Sequence, residues 1–109
     1  MNNLVLILLL VASHAHAATR EECGQKREEV IQLGVKFLQL QQEQMKYWYS
    51  YDPDKIQQAR DEFSHTGNRG LLTLIEADQK KYIRYTGEMK LVSSQMQTAN
   101  GWVFDHCKD

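Results

Sequence analysis

Two cysteines, Cys23 and Cys107, stand near opposite ends of this 109-residue chain, and there is no third. If they are joined, the chain must return at its end to where it began, because a bridge needs Cα atoms within about 7 Å. Whether they are joined depends on compartment, and the N-terminus bears on that. Leu4 to Ala12 is an unbroken apolar run. A polar start, Met1-Asn2-Asn3, precedes it, and Ser13-His14-Ala15-His16-Ala17 follows, with small residues where a signal peptidase cuts. The run is too short to cross a bilayer, which takes about 20 residues. Residues 1–17 therefore read as a secretory signal peptide cleaved after Ala17, leaving 18–109 as a single helical domain, periplasmic or secreted. In such a compartment an even pair of cysteines reads as a disulfide.

The leader holds no Asp, Glu, Lys or Arg, so the 13 basic and 14 acidic residues all fall in the mature chain, with a net charge of −1. That balance gives no bulk drive towards nucleic acid or anionic lipid. Eleven glutamines and a single proline, Pro53, favour long helices over sheets.

From Thr19 to about Ser50, Val30, Ile31, Val35, Phe37, Leu38, Met45 and Trp48 recur at helical steps, with Glu21 and Glu22 in the first turn where the helix dipole favours them. Asp52-Pro53-Asp54 predicts a restart, with Asp52 as N-cap and Pro53 where its missing donor is harmless. A short second helix follows through Ile56, Ala59 and Phe63. Thr66-Gly67-Asn68-Arg69-Gly70 should break it. A third stripe runs Leu71, Ile75, Asp78, Tyr82, Tyr85, Met89, Val92, Met96, Ala99, Val103. The expected class is all-α, and the cysteines leave two layouts. One is a long antiparallel helical hairpin with a short helix at its tip. The other is a four-helix up-down bundle, made if Gly87 divides the last helix. The terminal disulfide closes either, and the in-phase stripe through Gly87 favours the hairpin.

Catalysis finds no support in the pattern. His65 and His106 are the only histidines after the leader, and His106 adjoins Cys107, where neighbours on a helix point apart. No nucleophile, base and orienting group share an interpretable spacing. There is no C-x-x-C or metal-ligand cluster. The chain is thus expected to be no enzyme, with no catalytic residues, no metal and no cofactor. Lys80, Lys81, Arg84 and Lys90 are interspersed with Glu76, Asp78 and Glu88, as on a solvated face. The aromatic run Tyr47, Trp48, Tyr49, Tyr51 is more telling: four large rings in five positions cannot all turn inward from one helix end, since neighbours diverge by about 100°. Exposed Trp and Tyr are typical anchors of protein interfaces. Covering the hairpin tip and Phe63 is the competing role for these rings.

The segment Thr66-Gly67-Asn68-Arg69-Gly70-Leu71, preceded by a Gln-containing helix ending in Phe63 and followed by a leucine-containing one, resembles a segment of the TraC-like minor pilus subunits of conjugative type IV secretion systems. Those proteins are exported, mostly helical, and act through protein contacts. The resemblance implies a bacterial envelope setting in a plasmid transfer system and makes Asn68 and Arg69 candidate contact residues.

The expected function is that of an exported helical protein that binds other proteins, an accessory of a conjugation apparatus in the periplasm. The alternative is a periplasmic inhibitor or immunity-type protein that neutralises a toxin or hydrolase. Its partner-binding residues would be Tyr47, Trp48, Tyr49, Tyr51, Asn68 and Arg69. The expected partners are envelope or secretion-apparatus proteins. Nucleic acid and stable membrane insertion are not expected, and a homodimer along the Met45 and Met89 side is allowed.

Overall fold

The computed structural model describes residues 18–107, so the expected signal peptide lies outside the described residues. Three α-helices and one 3₁₀ turn make up the rest: α1 (Arg20–Met45), the turn (Trp48–Tyr51), α2 (Pro53–Thr66) and α3 (Gly70–His106). There is no strand among the described residues. α3 runs unbroken through Gly87 and through Asn100-Gly101, so the last helix is not divided and the four-helix layout is not formed. Helix one ends earlier than its periodicity suggests, at Met45 rather than near Ser50.

Short-range chemistry sets these boundaries. Thr19 Oγ1 accepts the Glu22 N–H at 3.1 Å while Glu22 Oε1 accepts the Thr19 N–H at 3.3 Å, a reciprocal capping box that opens α1. Asp52 Oδ1 accepts the Asp54 N–H at 2.9 Å ahead of Pro53, opening α2. Gly67 closes α2 at φ 72°, a left-handed conformation that L side chains resist, and its N–H reaches the Phe63 carbonyl at 2.8 Å. Asn68 Oδ1 then accepts the Gly70 N–H at 2.9 Å and starts α3.

The chain divides into two compact units. In the first, residues 18–34 pair with residues 93–107 in opposite directions. The Cys23–Cys107 bond joins them, with Cα atoms 5.9 Å apart. Cys23 and Ala99 are its buried apolar residues. The Lys26 ammonium lies 5.6 Å from the Trp102 ring centroid and 3.1 Å from Glu29, and Trp102 packs on His106. A methyl added at Gly34 would make ordinary contact with Met96, at 3.7 Å.

The second unit, residues 35–92, holds the rest of α1 and α3, the 3₁₀ turn and α2. Phe37, Leu40, Gln44 and Tyr47 turn inward along one segment, and Ile75, Asp78, Tyr82, Tyr85, Met89 and Val92 along the other. Both sets step by three and four, the heptad spacing of paired helices. Met89 belongs to this inward set, whereas Met45 is exposed, so the two methionines do not form one side. Gln44 is a buried polar member of the seam. Its amide donates to the Tyr82 carbonyl at 3.2 Å and to Thr86 Oγ1, so its burial leaves no donor wasted.

Candidate functional site

The aromatic run occupies the 3₁₀ turn and the residue before it, and Ser50 explains why the backbone tightens there. Ser50 is wholly buried, too small to prop the turn open, and its hydroxyl donates to the Tyr47 carbonyl at 2.6 Å. The Gln79 side chain donates to the Ser50 carbonyl at 2.9 Å and ties the turn to α3. A helix continued past Met45 would spread four rings around its circumference. The tightened turn instead sorts them.

Each ring has a different task. Tyr47 stacks on Tyr85, centroids 6.1 Å apart and nearly parallel. The Lys81 ammonium sits 5.2 Å from the Tyr47 ring, and the Arg84 guanidinium 5.2 Å from the Tyr85 ring. Tyr49 donates its hydroxyl to Asp78, a buried carboxylate that also lies 3.6 Å from Lys81. That hydrogen bond, reinforced by burial and by the carboxylate's negative charge, holds the Tyr49 phenol above its ordinary value near 10. Tyr51 meets Tyr82 edge-on at 5.1 Å and directs its hydroxyl at the Gln79 carbonyl. Trp48 tilts against Tyr82 at 5.7 Å and Tyr51 at 6.4 Å, yet remains 56% exposed.

Trp48, Tyr51, Tyr82, Ile83 and Thr86 line an open cleft of about 390 Å³ with almost wholly apolar walls. The Thr86 hydroxyl donates to the Tyr82 carbonyl and accepts from the Gln44 amide, which leaves a surface suited to apolar contact. Its walls are fixed: two of the three rings are half-buried, and each packs against the other two.

Of the six candidate contact residues, Trp48 and Tyr51 line this cleft, and Tyr47 and Tyr49 brace the turn that carries them. Asn68 and Arg69 do not line it. They belong to the connection between α2 and α3, where Thr66 Oγ1 donates to the Glu62 carbonyl and accepts the Asn68 N–H. Arg69 lies over the Phe63 ring at 5.3 Å and 3.7 Å from Glu76. The resemblance in this segment therefore coincides with residues engaged in capping and packing. Ile83 and Thr86 are cleft residues that sequence reasoning did not single out. A helical stripe search marks Tyr82 and Tyr85 as inward and passes over Ile83, which belongs to no stripe. Only the pairing of the turn with this stretch of α3 reveals it.

Two smaller clefts lie in the first unit. One, of about 280 Å³, is lined by Glu22, Gln25, Lys26, Glu29 and Trp102; the other, of about 200 Å³, lies over Lys26, Glu29, Ser94, Gln95, Thr98 and Ala99. Their mixed polar linings resemble ordinary helix surface. Among the described residues no three His, Cys, Asp or Glu side chains are placed to hold a metal ion, and no helix is long and apolar enough to cross a membrane. No family model, curated protein or solved structure matches the chain.

Proposed function

We propose that this is an exported protein that works by binding another protein, and that the cleft of Trp48, Tyr51, Tyr82, Ile83 and Thr86 is its contact surface. The observation that carries the proposal is Trp48: a tryptophan more than half exposed, on a turn tied down by Ser50, Gln79 and Asp78. A large ring held ready at a fixed angle loses little freedom on binding, the property that makes Trp and Tyr dominate interface energetics. An apolar side chain of the partner would seat between Trp48 and Ile83. The expected partners are envelope or secretion-apparatus proteins. The narrower setting, an accessory of a conjugation apparatus in the bacterial periplasm, is proposed on the Thr66–Leu71 resemblance alone.

The test is capture from envelope extracts by wild type, Trp48→Ala and Arg69→Ala proteins. Trp48→Ala should weaken capture by at least about 2 kcal/mol, about 30-fold, without a matching loss of fold stability in thermal melts. Capture that is indifferent to Trp48 but lost with Arg69→Ala would move the contact to the α2–α3 connection and overturn the cleft. Recovery of a single toxin or hydrolase, with loss of its activity on binding, would favour the inhibitor reading over the conjugation one.

A further inference from the structure

Along the sequence of α3 the charges alternate; around the helix they separate. Measured from Ile83, Lys81, Arg84 and Glu88 lie about 100° or more away. Lys81 covers the Tyr47 ring and stands 3.6 Å from Asp78, while Arg84 covers the Tyr85 ring and stands 4.0 Å from Glu88. Lys80 and Lys90 instead lie about 60° and about 20° from Ile83, one turn before it and two turns after. Both are exposed, and neither has an ion-pair partner among the described residues. Glu76 also shares the Ile83 side, two turns before it, but Arg69 engages it at 3.7 Å.

The acids that could neutralise these two lysines are thus held elsewhere: Asp78 by Tyr49 and Lys81, Glu76 by Arg69, Glu88 by Arg84. Between the cleft and Lys90 lies Gly87, exposed, with open space where a Cβ would stand. A partner's main chain can approach α3 closely there. The surface therefore runs from the apolar cleft over bare backbone to an unpaired ammonium, about 10 Å beyond Ile83 along the axis. Apolar in the middle and positive on either side of Ile83, it repels a basic partner and draws an acidic one.

We propose that the partner segment taken by the cleft, on the protein-contact reading above, is acidic as well as apolar. One large apolar side chain seats between Trp48 and Ile83, and Asp or Glu side chains flanking it answer Lys80 and Lys90. A carboxylate about 10 Å from the anchor meets Lys90, which is about three residues along an extended segment or two turns along a helical one. An anionic lipid surface offers the same two chemistries, but two lysines are fewer than the about four to eight that membrane-binding patches gather.

Panning a library of random displayed peptides against the disulfide-closed protein tests this. Enriched peptides should join a leucine or aromatic residue to Asp or Glu, and should lose binding to Trp48→Ala. Against Lys80→Glu with Lys90→Glu, the same peptides should bind roughly tenfold more weakly at low salt, a difference that disappears near about 0.5 M salt. Panning that double variant should enrich Lys and Arg in place of Asp and Glu, a swap that a folding defect does not produce. Trp48-dependent peptides of neutral or basic composition, or acidic ones indifferent to the lysine reversal, would overturn this inference and leave the cleft as the contact surface. A library that yields no Trp48-dependent peptide would overturn the cleft reading and this one together. Trp48-dependent binding to phosphatidylglycerol vesicles, with no acidic peptide enriched, would overturn it in favour of a lipid surface.

Discussion

Replacing both Cys23 and Cys107 with alanine is the most informative single perturbation of this fold. The bond spans a sequence separation of 84 residues. In the chain-entropy account, freeing a loop that long favours the unfolded chain by about 4.6 kcal/mol. A domain of this size has a stability of roughly 5 to 13 kcal/mol, so the bridge supplies between a third and nearly all of it. The few buried apolar side chains, Cys23, Ala59, Ile75, Val92 and Ala99, place it towards the lower figure. With an unfolding entropy of about 0.19 kcal/mol per kelvin for some 90 residues, the melting temperature should fall by roughly 20 to 25 °C. Circular dichroism melts of oxidised wild type and the double alanine protein measure that fall. Alanine suits both sites, because it leaves no hydroxyl to bury at Cys23. Hydrogen exchange should show the loss in the most protected amides, which open only with the whole molecule, because the bridge acts on the unfolded chain. A fall of less than about 5 °C, or unchanged exchange of the most protected amides, would refute the entropic account of the bridge.

Three further outcomes follow from local geometry. Tyr49 has a folded-state pKa raised above its unfolded value, so its contribution to stability is fully present below about pH 10 and is lost as pH rises through the folded value. Ultraviolet titration should show a late-ionising component that disappears in Tyr49→Phe; an unchanged titration would remove the Asp78 hydrogen bond as its cause. Gly87 sits mid-helix with open space where a methyl group would stand, so Gly87→Ala should raise stability by about 0.5 to 1 kcal/mol in denaturant melts. Asn68→Ala removes the acceptor for the Gly70 N–H and should lower stability by about 1 kcal/mol, without altering capture through the cleft.

Much of the architecture is legible from local signals. Asp52-Pro53 opens α2 and Gly67 closes it because capping needs only neighbouring residues, and the α3 stripe from Ile75 to Val103 survives because its inward positions are nearly all apolar. α1 is harder. A count of apolar residues merges Val30 and Phe37, which turn inward, with Ile31, Val35, Leu38 and Met45, which do not. The inward positions Cys23, Lys26 and Gln44 are polar or reactive types that such a count skips. The site divides in the same way. The sequence shows that the rings of Tyr47, Trp48, Tyr49 and Tyr51 cannot share one direction. Which of them points out depends on Ser50, Asp78 and Gln79, brought together only by helix pairing. Ile83 and Thr86 join the cleft by that pairing alone.

The short connections determine how the protein would meet a trypsin-like protease. Among the described residues, Lys46 and Arg69 are the only lysine or arginine outside a helix, and proteases cut most readily in exposed, non-helical backbone. Both are restrained, Lys46 by Glu43 at 2.8 Å and Arg69 by Phe63 and Glu76. A trypsin-like cut at either place separates a piece holding Cys23 from a piece holding Cys107. The bridge keeps the two together, so a nicked molecule retains both halves and betrays the cut only when it is reduced.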